Sequence, residues 1–508
     1  MRWATLAWIL AAAPAAADDI AASPPAELSV TVYRAPFRAA GSINLDGLAG
    51  FALVSEVRTV HLPAGLSRLR FEGVADGIEP ASAIVTGLPP GVIEKNREGK
   101  LLSPSALIAA TLGKPVTLLR TDKKTGKRQR LNGTLLSDAK GGVVFQTSEG
   151  IEALRCSGLP ETLSFEGVGG LAAKPTLSVL VRSAEPSTRT VTLSYLARDF
   201  DWAADYVATL SSDGKTMDLG AWVTLANGNG VGFPSARTQV VAGRVNRENG
   251  EVEPLDIGGP ILAACWPRGS TSDIPAPAYL QFAAGAESRD RMFKKSVAAA
   301  PAMMEVTVTA ARNVQQEQLG DLKLYRIPER TTVASRQSKQ VRLMDRLGIP
   351  IARVYGADLA ADDSGPPAPA HLLLRTANST ANHLGLPLPS GHIAVFATSS
   401  GEQLLLHESD IQDRAVDEEV EIDLGDSPDV QVTVDEESAT DRARTQVHAV
   451  RVDISNARPA DIQLELRLQM RAGGRVVHAD HPMGTKNGRP MFHLTVPANG
   501  TVTLRYQT

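Results

Sequence analysis

Cysteine is almost missing from this 508-residue chain, which has only Cys156 and Cys265. A framework of several disulfides is therefore excluded, and two thiols allow at most one bridge. A Cys156–Cys265 disulfide is one expectation; two buried, unpaired small side chains are the other. Neither thiol has a His beside it in sequence, which argues against catalytic cysteine chemistry. Aromatics supply 5% of residues, too few for the stacked platforms of single-strand nucleic-acid binders. A basic excess is also lacking: the formal net charge is -4, so no nucleic-acid partner is expected of the chain as a whole.

No apolar run approaches the ~18 residues that a membrane-spanning helix needs, and no transmembrane segment is expected. Contiguous catalytic strings are absent: there is no Gly-x-Ser-x-Gly elbow, no His-Glu-x-x-His helix, no phosphate loop and no Cys-x-x-Cys. Whether the chain is an enzyme stays open, with a non-enzyme favoured, because spatial triads and carboxylate pairs need no contiguous motif. No cofactor, catalytic residue or metal ligand is expected.

What is present begins with an address. Arg2 gives a positive start, residues 6–13 an apolar stretch, and Ala15-Ala16-Ala17 a small-residue cleavage pattern ahead of Asp18-Asp19. These are the three parts of a signal peptide over residues 1–17, and they imply a periplasmic or secreted bacterial protein. No Cys near the cleavage point is placed to carry a lipid.

Short runs that alternate apolar and polar residues dominate the rest, among them 28–33, 57–62, 68–74, 191–196, 206–210, 420–424, 430–434, 447–454, 462–470 and 492–496. Each is rich in β-branched residues and bounded by Gly, Pro, Asn or Asp, the pattern of strands with one buried face. One helix stands out over 104–112, with Ser103 as N-cap, Pro104 in its first position and Gly113 as its stop. Four or five closely spaced strands follow it, which predicts a small SH3-like or Sm-like barrel over 101–168. The fold class is therefore all-β: a multi-domain β-sandwich with a small inserted barrel and very little helix. The domains expected are an N-terminal β domain at 27–100, the barrel at 101–168 and a large sandwich region at 175–508. Proline-rich stretches at 254–304 and 358–370 read as loops within that region.

Residues 193–243 carry a resemblance. Ser194-Tyr195-Leu196, Trp202, Tyr206, Asp218-Leu219, Ala221-Trp222, Asn227 and Val240-Val241-Ala242-Gly243 are similar to an exported bacterial β-protein family of unknown function, the mucoidy-inhibitor-A-like proteins. Tyr325, Pro328, Thr331-Thr332-Val333, Pro389-Ser390-Gly391 and Glu408-Ser409-Asp410-Ile411 fall in the same order. The resemblance covers most of the chain and implies a sandwich in the cell envelope. It brings no catalytic residues. Phe233 stands where the family usually has Trp, and the barrel block occupies the place of the family's charged coiled coil.

Three clusters bear on chemistry. His478, Asp480, His481 and His493 supply metal-binding side-chain types, but strand alternation turns His478 and Asp480 away from His481, so exposed polar residues are the favoured reading. Carboxylates crowd 408–441; Glu419, Glu421 and Asp423 alternate with Val420, Ile422 and Leu424 as the solvated face of a strand. Lys123, Lys124, Lys127 and Arg128 form a basic hairpin tip, a candidate polyanion contact against the plainer reading of a solubilising turn.

The function expected is an exported envelope protein, a non-enzymatic β scaffold that binds a partner protein or an envelope polymer such as a polysaccharide. The alternative is an envelope glycan or peptide hydrolase that uses a carboxylate pair. A polyanion-binding adaptor built on the basic hairpin is a third reading. Oligomeric state is not encoded in any of these features.

Overall fold

A computed structural model describes residues 17–35, 38, 43–89, 92–98, 101–121, 124–137, 143–153, 162–167, 171–243, 245, 315–319, 322–360, 364–399, 401–442, 445–471 and 474–508. Among these residues the strands form four sheets, of four, five, twelve and nine strands. Among the described residues Pro104–Ala110 is the one α-helix, and it starts as the sequence predicts: Ser103 Oγ accepts from the Ala106 N–H at 3.1 Å, behind Pro104 in the first turn. The all-β expectation holds. No helix among the described residues is long and apolar enough to cross a membrane.

The N-terminal strands do not form a unit of their own. Glu27–Tyr33 lies in the twelve-stranded sheet between Gly50–Leu62 and the parallel strand Phe233–Ala242. Gly50–Leu62 pairs along its length with Ser187–Leu210. Gly65–Glu72 pairs with Thr176–Ser183 in the four-stranded sheet. Residues 27–98 and 176–242 therefore build one sandwich, and the boundary expected at 100 divides the chain without dividing the sheets. The reason is that strand pairing is long-range, so each sheet needs partners from both segments. Between the two sheets lies a core that includes Leu69, Phe71, Leu177 and Val179 on one side and Val54, Val191, Leu193 and Tyr195 on the other. Burying these faces is the main driving force for the sandwich.

The block at 101–165 is an insertion between two neighbouring strands, Val92–Glu98 and Thr176–Ser183. Its first four strands run as a meander, and the fifth, Thr162–Phe165, returns beside the first, Pro115–Thr121, so the sheet curls toward a barrel. Leu101 and Ala172 bridge at its neck.

The nine-stranded sheet is built from residues 352–507 and has its own core of Val432, Val452, Leu464, Leu466, Phe492 and Leu504, among others. The loop expected at 358–370 is largely strand: Ala352–Ala360 and Gly365–Ala377 pair with each other and with their neighbours. Pro366, Pro367 and Pro369 fit because the register shifts between Gly365 and Ala368 and between Pro369 and Ala370, where bulges remove the need for ladder N–H groups. The loop expected at 254–304, like residues 1–16 of the expected signal peptide, lies outside the described residues.

Candidate functional site

In Gly50–Leu62 the alternation places Ala52, Val54, Val60 and Leu62 inward, and the same phase carries Glu56 and Arg58 into the core at 1% and 2% exposure. A buried charge is tolerated only when paired and hydrogen-bonded, and both conditions are met. Arg58 donates from Nε and Nη2 to Glu56 Oε2 at 2.8 and 2.6 Å. Its remaining donors reach the carbonyls of Glu72 and Ser23 at 2.9 and 3.3 Å. The guanidinium also lies over Phe71, 6.0 Å from the ring centroid. Glu56 Oε1 accepts from the Tyr195 hydroxyl at 2.8 Å, and that hydroxyl accepts from the Ala75 N–H at 3.2 Å. Burial raises the Glu56 carboxyl above its usual range, against the opposing pull of Arg58 and Tyr195. Burial, then the Glu56 charge, hold Tyr195 well above an ordinary phenol.

Glu56 and Arg58 line the inner end of a 780 Å³ cleft at the neck of the barrel. Its mouth is formed by Glu72, Asp76, Lys174 and Arg336, with Pro24, Pro25 and Pro175 among its walls. One wall is the backbone of 230–234, and two asparagines fix it. Asn227 Nδ2 donates to the Val231 and Ala334 carbonyls at 2.9 and 3.1 Å. Asn229, 1% exposed, accepts from the Gly77 N–H at 2.8 Å and donates to the Arg198 carbonyl at 3.0 Å. Asp76 Oδ2 accepts from the Gly230 N–H at 2.7 Å. The floor is secured where Gly73 N–H donates to the Pro175 carbonyl at 2.8 Å.

Two of the carboxylates in this cleft are committed to structure. Both Glu56 oxygens carry donors, and Asp76 holds the glycine-rich wall. The arrangement offers a mouth of mixed charge, exposed backbone and proline surfaces, which suits an extended chain more than bond cleavage.

Of the residues that carry the family resemblance, Tyr195 and Asn227 stand at the neck cleft, whereas Tyr206 and Tyr325 meet the segment 387–390. The Tyr206 hydroxyl donates to the Pro389 carbonyl at 2.6 Å and that of Tyr325 to the Pro387 carbonyl at 3.0 Å. Trp202 Nε1 donates to the Val241 carbonyl at 3.1 Å. Arg34 stacks over Trp202 and donates to Ser390 Oγ and Asp413 at 2.7 and 3.0 Å. Phe233 is buried against Phe200. These are ties between distant strands.

Of the residues singled out in the sequence, Cys156, Cys265 and Lys123 lie outside the described residues. Lys124, Lys127 and Arg128 are exposed at the hairpin between Pro115–Thr121 and Arg128–Leu135. Arg120 pairs with Glu152 at 3.1 Å. His481 bonds Asp480 at 2.7 Å, His478 lies on the strand beside Gly500–Gln507, and His493 is 3.8 Å from Glu465. Among the described residues no group of three or more His, Cys, Asp or Glu is arranged to hold a metal ion.

In the acidic stretch Val420 and Ile422 are buried and Glu419 is exposed, as the alternation predicts, but Glu421 departs from a solvated role. Glu421 is half-buried under basic side chains: Arg375, Arg467 and Lys486 converge on its Oε1, with distances of 2.5 to 3.2 Å, and Arg375 also binds Glu465 through two bonds of 2.5 and 2.7 Å. This network ties 375 and 421 to the strands at 465–467 and 486. No protein-family model and no curated protein matches the chain.

Proposed function

We propose that the chain is an exported cell-envelope scaffold, a barrel-bearing variant of the mucoidy-inhibitor-A-like type, that binds a partner protein or an envelope polymer without catalysing its turnover. The signal-peptide pattern at residues 1–17 supports export. The single observation that carries the binding reading is the neck cleft, whose wall is fixed by Asn227, Asn229 and Asp76 and whose mouth presents Lys174, Arg336 and Glu72. A preformed cleft lowers the ordering cost of holding an extended chain. The inserted barrel sets the cleft's position, because Leu101, Ala173, Lys174 and Pro175 all belong to its neck.

Photocrosslinking in intact cells tests this. A crosslinker at Arg336 should give a covalent adduct with envelope material, whereas one at Leu347, an exposed position outside the cleft, should not. Equal labelling from both positions contradicts the proposal.

Hydrolysis by a carboxylate pair is the second reading, because Glu56, Glu72 and Asp76 line one cleft. It requires Glu72→Gln or Asp76→Asn to abolish a measurable cleavage of envelope glycan or peptide while the fold is kept.

A further inference from the structure

The cations at the mouth of the neck cleft are unpaired. Lys174 and Arg336 are both exposed there, and among the described residues neither side chain has a hydrogen-bond or ion-pair partner. The carboxylates beside them are partly engaged. Asp76 holds the Gly230 N–H with Oδ2 at 2.7 Å, and Glu72 lies 4.0 Å from Arg70 Nε. Deeper in, Glu56 and Arg58 neutralise each other.

The glycine-rich wall adds a backbone donor. The Val231 carbonyl accepts from the buried Asn227 side chain at 2.9 Å. A trans peptide points its C=O and the next N–H in opposite directions, so the Gly232 N–H is turned away from Asn227. That N–H has no partner among the described residues, and Gly232 lines the cleft. Asp76 Oδ1 is likewise left to accept a bond.

Strain is concentrated at this wall. Asp199, Ser235 and Arg336 adopt the left-handed conformation, at φ 64°, 49° and 48°, although none is a glycine. The Asp199 carbonyl accepts from the Gly228 N–H at 2.8 Å, and the Arg336 N–H donates to the Asn229 carbonyl at 3.1 Å. Such conformations persist where the surroundings fix them, and they cluster at ligand clamps.

We propose that the neck cleft captures the C-terminal end of an extended peptide, an inference that rests on the reading of this cleft as the binding site. Arg336 and Lys174 take the terminal carboxylate, Gly232 N–H donates to the same end, and Asp76 Oδ1 accepts an N–H of the bound chain. The middle of a neutral chain would bring no charge to the two cations. A polymer with a carboxylate on every unit would place further negative charge beside Glu72 and Asp76.

Calorimetric titration of the full chain with acetyl-tetraalanine, which has a free C-terminal carboxylate, tests this against the same peptide as its C-terminal amide. Saturable binding of the acid is expected, about tenfold or more tighter than that of the amide. Arg336→Ala and Lys174→Ala should each weaken the acid with melting temperatures unchanged, and Arg336→Lys should restore part of the loss. No saturable binding of the acid, equal binding of acid and amide, or acid binding unchanged in both alanine variants would overturn the proposal. Trigalacturonate binding as tightly as the acid would overturn it too, in favour of an acidic polymer. Envelope adducts from the Arg336 crosslinker alongside equal binding of acid and amide would remove this inference alone and leave the scaffold reading standing.

Discussion

The Tyr195 hydroxyl donates to Glu56 Oε1 at 2.8 Å in a part of the sandwich where neither residue reaches solvent. With Arg58 on the other oxygen, the carboxylate is satisfied from both sides by groups on two strands. Removing one partner leaves the rest buried and uncompensated. Arg58→Met is expected to cost about 3–5 kcal/mol, whereas Tyr195→Phe should cost about 1–3 kcal/mol through one lost hydrogen bond. Urea denaturation of the two variants checks the order. A smaller loss in Arg58→Met than in Tyr195→Phe would show that the ion pair is not what stabilises this wall.

Acid stability should depend on Glu465. Its carboxyl is buried, yet bonds and charge from Arg375, Arg467 and Lys486 outweigh that burial and lower it from 4.5 to about 2. A folded value below the unfolded one gives stability that is fully present above about pH 4.5 and lost as the pH falls toward 2. Glu56 has the opposite sign: its folded value is raised, so its contribution is greatest at low pH and declines as the pH rises above 4.5. Thermal midpoints between pH 2 and 6 should therefore flatten in Glu465→Gln and not in Glu56→Gln.

Gly391 is a contact that a single methyl breaks. A Cβ there would stand 2.0 Å from the Ala204 carbonyl oxygen, where the strand beginning at 391 runs parallel to 204–210. Gly391→Ala is expected to destabilise by about 3 kcal/mol or more, at the upper end of overpacking costs. Gly401→Ala meets nothing within 4 Å and has only its positive φ of 85° to resist it, so a smaller loss of about 1 kcal/mol is expected. Comparing the two melting temperatures separates close approach from backbone strain.

Asn229→Ala should loosen the cleft wall more than the fold. It removes the acceptor for Gly77 N–H and the donor to the Arg198 carbonyl, at about 1–3 kcal/mol. Amide hydrogen exchange at Gly77 should rise, with Val54 and Leu193 in the core unchanged.

How much of this was legible in the sequence varies with the range of the interaction. Ser103, Pro104 and Gly113 marked the helix because capping is local, and the tightly spaced strands marked the barrel because its neighbours are adjacent in sequence. Runs 191–196 and 206–210 read as separate strands, yet Ser187–Leu210 is continuous: a bulge at Asp199, whose φ is 64°, carries the chain through the break in alternation. Glu56 and Arg58 do carry a local signal, since two opposite charges in the inward phase of a strand mark a buried pair. Arg34 left no such trace. It meets Ser390 across 356 residues, and no local pattern encodes that contact.

The most direct test of the scaffold reading is retention of the purified protein on isolated cell envelopes, comparing the unaltered chain with the Lys174→Glu and Arg336→Glu double variant. The neck cleft predicts at least a tenfold loss of retention in the variant, with its melting temperature unchanged. Equal retention of the two proteins would contradict it.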